Sequence, residues 1–152
     1  MPALTPMFRG TLAFLSNFYE ATISVNGVRY ATLEHAYQAS KCCIPRDAAQ
    51  IRDAPTPYTA KRLGRTVHLR ADWERRKIPL MRQLLRAKFA QHPALAQQLL
   101  ETGNLELVER NGWHDTYWGT CYCPIHQGTG KNVLGQLLME LRAALTLTII
   151  TA

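Results

Sequence analysis

Between residues 72 and 91 the apolar side chains Ile78, Met81, Leu85 and Phe89 fall at i, i+3, i+7 and i+11. That is one stripe of an amphipathic helix, and the longest helix the pattern predicts. Pro79 interrupts its first two turns, so either the helix kinks there or its regular part begins nearer that residue. A shorter helix is expected over residues 33–43, where Thr32 supplies an N-cap and no Gly or Pro intervenes before Pro45 stops it. Proline breakers then delimit helices at 46–53 and 58–63, the latter stopped by Gly64, and Pro93 opens another through Glu101, closed by Gly103. A final helix carries Leu134, Leu137, Leu138, Leu141 and Leu145 on one face. The apolar stretch 145–152, interrupted by threonines, reads as a last strand or tail too short to cross a bilayer.

Strand signals are fewer. Asn26-Gly27 lies between the β-branched runs 21–25 and 28–30, which is a hairpin signature, and residues 105–108 read as a short strand. Residues 111–130 are rich in Gly, Trp, Tyr and His with no period. Without repeats or a linker, the expectation is a single α+β domain over residues 1–152, mainly helical, with a small β-hairpin or sheet.

Composition sharpens this. With 152 residues and 47% hydrophobic content, the chain can bury a real core, and neither end carries a signal-peptide or anchor pattern, so a soluble cytoplasmic protein with no membrane partner is expected. The net charge of +7 favours anionic partners such as phosphorylated metabolites, nucleotides or nucleic acid. The basic residues Arg75, Arg76, Lys77, Arg82, Arg86 and Lys88 are spread along a helix, equally consistent with a solvated face and a nucleic-acid footprint. The four cysteines form two tight pairs, Cys42 with Cys43 and Cys121 with Cys123, which suits a reducing compartment better than a disulfide framework. Cys121, Cys123, His126 and His114 could surround zinc, but the usual two-residue gap between paired cysteines is missing, so no metal or cofactor is expected.

Four constellations could carry chemistry. Glu34, Gln38 and Lys41 stand at i, i+4 and i+7 and share a helix face, with Glu34 near the N-terminus where the dipole favours its ionised form. An exposed Glu with a Lys down the helix would look the same. The run Trp113-His114-Asp115-Thr116-Tyr117-Trp118-Gly119 suits a pocket that stacks a base or sugar while Asp115 orders a water or hydroxyl; a core tryptophan pair with Asp115 capping a turn is the alternative. Gly128-Thr129-Gly130-Lys131-Asn132, directly before the last helix, is either an anion site or a plain turn capped by Asn132, and Ile125 and Asn132 depart from the P-loop pattern. Phe14-Leu15-Ser16-Asn17-Phe18-Tyr19 fits a stacking platform or a strand with a turn, and Trp73 a core anchor or a pocket wall.

Taken in order, these pieces resemble the NADAR (YbiA-like) family. The resemblance runs through Phe14-Leu15-Ser16-Asn17-Phe18, Thr32-Leu33-Glu34-His35-Ala36-Tyr37-Gln38-Ala39-Ser40-Lys41, Ala60 to Arg65, Asp72-Trp73-Glu74, Ala87-Lys88-Phe89, Asn111, Asp115, Tyr117-Trp118-Gly119 and Gly130-Lys131-Asn132, covering residues 8–143. It implies metal-independent cleavage of a ribosyl N-glycosidic bond, with Glu34 and Asp115 as catalytic carboxylates and Lys41 as a covalent amine. Asn17, Phe18, Gln38, Trp73, Trp118, Gly119, Lys131 and Asn132 become substrate-binding residues. The insert at residues 121–127 departs from the family pattern, as does Pro79.

Three functions follow. The charge leans toward an ADP-ribosyl glycohydrolase acting on guanine-linked ADP-ribose in DNA or RNA. A phosphoribosylated intermediate of riboflavin synthesis is the smaller substrate. A module that only holds ADP-ribose or NAD would not need both Glu34 and Lys41.

Overall fold

Asn26 and Gly27 both adopt left-handed dihedrals, φ 51° and 78°, the pattern of a type I′ turn. They join β1 (Ile23–Val25) to β2 (Val28–Tyr30) in an antiparallel pair with Ile23 opposite Tyr30. In the computed structural model, which describes residues 7–151, this hairpin belongs to the first of two compact units, Asn17–His92. The second comprises residues 7–16 and 93–151.

Four helices follow in the first unit: α1 (Leu33–Ser40), α2 (Pro45–Arg52), α3 (Pro57–Gly64) and α4 (Trp73–Gln91). The Thr32 hydroxyl caps α1 by accepting from the His35 backbone N–H at 3.3 Å. The buried His35 ring closes the same network, with Nδ1 2.8 Å from Thr32 Oγ1 and Nε2 3.0 Å from the Ala54 carbonyl. α1 ends at Ser40, sooner than the expected residue 43. Cys42 instead bridges antiparallel to Leu69, and the Cys43 N–H donates to the His68 carbonyl, which draws the chain out of the helix at Lys41. Thr56 caps α3 with Pro57 behind it, and Ala39, Ile51 and Ala60 form the core where α1, α2 and α3 meet, with Tyr30, Leu63 and Val67 around them. Pro79 lies inside α4 without ending it, and Met81, Leu84, Leu85 and Phe89 bury the expected stripe; Ile78 is half-buried.

The second unit holds a 3₁₀ turn (Gly10–Leu15), α5 (Pro93–Glu101), two short parallel strands β3 (Arg110–Asn111) and β4 (Thr120–Cys121), and α6 (Val133–Thr151). Three expectations are corrected here. Residues 105–108 form no strand, and Phe14-Leu15 close a 3₁₀ turn. The stretch 145–151 is neither strand nor tail but the end of α6. Its threonines satisfy themselves within the helix, Thr146, Thr148 and Thr151 donating to the carbonyls of Arg142, Ala144 and Leu147. Residue 152 lies outside the described residues. α6 is therefore the one helix among the described residues long and apolar enough to cross a membrane by length and composition. α6 packs on α5, its first half buries Leu134, Gly135, Leu137 and Leu138, and Arg142 donates to Thr102 Oγ1 and the Leu105 carbonyl.

Candidate active site

In the first unit, the structure brings Glu34, Gln38 and Lys41 together on one face of α1. Glu34 occupies the second helical position, is only 6% exposed, and accepts a hydrogen bond from Gln38 Nε2 at 2.6 Å. A buried carboxylate so placed faces the positive end of the helix dipole. Its backbone N–H donates to the Asn17 carbonyl, which ties the turn at Asn17 to the head of α1.

Lys41 caps the C-terminal end of α1 and is half-buried. Burial pushes its amine below the usual lysine pKa, and the positive charges of Lys61 and Arg65 act in the same direction against the opposing pull of Glu34 and Cys42. Its Nζ lies 5.5 Å from the Tyr37 ring centroid, and Tyr37 in turn packs on the buried Trp73 at 5.3 Å. The Lys41 carbonyl accepts from the Arg70 N–H, so the backbone carrying the amine is pinned. Trp73 is a buried anchor at the start of α4 and packs behind Tyr37.

Two further expected residues join this cluster. Asn17 is buried, and Phe18 stacks edge-on against Tyr58 at 4.8 Å with Lys61 Nζ 5.6 Å from its ring. Asn17 Oδ1 and Gln38 Oε1 are buried with no hydrogen-bond partner among the described residues. Buried polar atoms of this kind are costly unless something satisfies them. Gly64 is required by this arrangement: a Cβ there would overlap Gln38 Oε1.

In the second unit, Asp115, Trp118, Gly119, Lys131 and Asn132 form a cluster of their own. One oxygen of Asp115 accepts from the backbone N–H groups of Tyr117 and Trp118 at 3.0 and 2.9 Å, the arrangement of a turn cap. The Trp118 ring stands edge-on to Tyr117 at 5.0 Å, and Lys131 Nζ lies 5.5 Å from the Tyr117 centroid. The backbone N–H groups that an anion site before the last helix would need are used within the loop. Those of Lys131, Asn132, Val133 and Leu134 donate to the carbonyls of Thr116, Gly119, Tyr117 and Trp118. Asn132 takes a left-handed φ of 52°, donates to the Leu107 carbonyl and accepts from the Glu109 N–H. The glycine-rich segment is thus a turn locked onto the aromatic loop, and Gly119 and Gly130 are required because a Cβ on either would meet backbone at the Glu109 or Gly119 carbonyl.

Asn111, absent from the expected site residues, organises this loop. It is buried; its Oδ1 accepts from the N–H groups of Trp113 and Asp115, and its Nδ2 donates to the carbonyls of Asp115 and Thr120. Its place among the residues that carry the family resemblance, and before a Gly and an aromatic run, was the available signal. Four other side chains beside it, His114, Cys121, Cys123 and His126, place one ligand atom each within 4.8 Å of one another, a convergence that their sequence spacing argued against.

The NADAR domain model matches residues 7–146. The chain belongs to the NADAR domain family. This NADAR chain is 42% identical over 134 residues to N-glycosidase YbiA of Escherichia coli, covering 87% of the chain and 81% of that protein. An N-glycosidase of Nostoc punctiforme is 39% identical over 132 residues, covering 84% and 81%. A riboflavin biosynthesis protein of Vibrio vulnificus is 38% identical over 134 residues, 87% of this chain and 35% of that protein. The solution structure of Escherichia coli YbiA superposes with a TM-score of 0.81 at 38% identity, over 97% of this chain and 88% of that one. The α+β fold and the class of enzyme, a hydrolase of N-glycosyl bonds, are those of the family.

Proposed function

We propose that this NADAR chain hydrolyses the bond between a base nitrogen and C1 of a ribose phosphate, with phosphoribosylated aminopyrimidine intermediates of riboflavin synthesis as its substrate class. The observation that carries the reading is the buried Glu34, held by Gln38, on one helix face with a half-buried Lys41 whose amine is lowered in pKa. The name of the riboflavin-synthesis relative from Vibrio vulnificus supports the substrate class. A second reading, release of ADP-ribose from guanine in DNA or RNA, is favoured by the net charge of +7.

Cleaving a ribosyl N-glycoside develops positive charge at C1, and a buried carboxylate stabilises that charge far more than an exposed one would. Glu34 supplies the carboxylate. Lys41 supplies a nucleophile: its neutral amine attacks C1, the base departs as its nitrogen gains a proton, and opening of the ribose ring leaves a Schiff base that water hydrolyses to regenerate the amine. Asn17 Oδ1 and Gln38 Oε1 accept hydrogen bonds from ribose hydroxyls. Tyr37, backed by Trp73, gives the sugar or base a flat face.

The test is base release from a phosphoribosylaminopyrimidine and, separately, from a guanine-ADP-ribosylated oligonucleotide, with Glu34→Gln beside the parent. Release from the first substrate, falling by about 10²–10⁴ in Glu34→Gln, supports the proposal. Release from the oligonucleotide alone transfers the function to the second reading. ADP-ribose binding with release from neither makes the chain a binding module.

A further inference from the structure

Cys121 ends β4, and its N–H donates to the Thr129 carbonyl while its own carbonyl accepts from Gly128, so residues 122–128 fold back into a closed loop. At the mouth of that loop Cys123 Sγ lies 3.2 Å from His126 Nδ1 and 3.5 Å from His114 Nδ1, and the two imidazole nitrogens are 3.4 Å apart. Cys121 Sγ completes the group, with all four atoms within 4.8 Å. A tetrahedral zinc with bonds of about 2.3 Å to sulfur and about 2.0–2.1 Å to nitrogen has N···S edges of about 3.5–3.6 Å and N···N edges of about 3.4 Å. The 3.5 Å N···S and 3.4 Å N···N separations match those edges, and the 3.2 Å N···S separation is about 0.3 Å shorter.

We propose that His114, Cys121, Cys123 and His126 bind one zinc ion in a closed structural site. Two thiolates and two imidazoles are a soft, neutralising donor set that suits zinc and offers nothing to calcium or magnesium, which need oxygen. With four protein ligands the metal keeps no open position, so its role is to hold the loop and not to activate water. Supporting contacts surround the ligands: the His126 N–H donates to Cys123 Sγ at 3.4 Å, and the Gln127 N–H donates to the Cys123 carbonyl. His114 and Gln127 hold left-handed φ values of 71° and 49°, conformations unfavourable for side-chain-bearing residues unless their surroundings fix them. Because His114 immediately precedes Asp115, the metal would fasten the segment whose turn Asp115 caps to the insert at residues 121–127.

The full chain is purified under reducing conditions, reconstituted with zinc, passed through gel filtration, and assayed for metal by mass spectrometry. One zinc per chain is expected. Cobalt in its place should give the intense visible bands of a tetrahedral thiolate site, and chelation should lower Tm by about 5–10 °C. Cys123→Ser and His126→Ala, checked for folding by circular dichroism, should each lose the zinc. The proposal is overturned if the reduced parent leaves the column without stoichiometric metal, if cobalt gives an octahedral spectrum, or if both variants fold and keep zinc. All these readouts are independent of the substrate question.

Discussion

Asp115 was expected to act as a carboxylate and is found capping a turn, and two substitutions separate these roles. In Asp115→Ala the N–H groups of Tyr117 and Trp118 lose their common acceptor, whose bonds to them measure 3.0 and 2.9 Å. Removing a side-chain cap costs about 0.5–2 kcal/mol, and bonds to a charged acceptor raise that toward about 2 kcal/mol for the pair, since the site is half-exposed and the two bonds share one oxygen. For a domain of this size that is a fall in Tm of roughly 4–8 °C. Asp115→Asn leaves an amide oxygen in the same position, so both bonds survive and the loss should stay below about 0.5 kcal/mol. Thermal unfolding of the three proteins at one pH measures the difference. Equal destabilisation by Ala and Asn would refute the cap and make the charge itself the stabilising element. Given the expected order, any drop of turnover in Asp115→Asn belongs to the missing charge and not to a disturbed loop.

Lys41→Ala should abolish a borohydride-trapped adduct that mass spectrometry finds on Lys41 in the parent, and because the neutral amine is the reactive form, the ascending limb of the parent's pH–rate profile should have its midpoint below the ~10.4 of a free lysine; no adduct in the parent would remove the covalent route. Lys88 is fully buried, and burial pushes its amine from 10.5 down to about 7. Between those values the unfolded chain holds a proton that the folded chain lacks, so stability should rise with pH from about 7 to 10.5, by an amount on the order of 5 kcal/mol at most. Lys88→Met should accordingly raise Tm at pH 6 and flatten that dependence; a lower Tm would show that the buried amine is held by favourable contacts. Gly130→Ala places a Cβ against the Gly119 carbonyl at a φ of 153°, and should cost about 2–3 kcal/mol, seen as a Tm lower by about 5–10 °C.

What could be read from the sequence is what local physics decides. Thr32, Pro45, Pro57 and Pro93 act on their own turns, so the helix starts they mark were legible within a residue or so. Glu34, Gln38 and Lys41 were placed on one face by helical spacing alone, even though α1 stops before Lys41 for a reason no local signal carries, the pairing of Cys42 with Leu69. The threonine-dotted end of α6 misled because β-branched residues favour strands only until their hydroxyls find i−4 carbonyls to bond.

The aromatic loop failed to read for a different reason. Its order comes from Asn111, Asn132 and a line of backbone N–H groups that reach across from residues 131–134 to 116–119. None of those bonds leaves a periodic trace. The same closure carries the metal argument: Cys121 and Cys123 are too near in sequence for the familiar zinc knuckle, and it is the return of the chain at Thr129, together with the left-handed turn at His114, that brings all four donors within 4.8 Å of one another. With zinc bound, residues 121–127 are a fastening for the loop that holds Asp115 and Trp118.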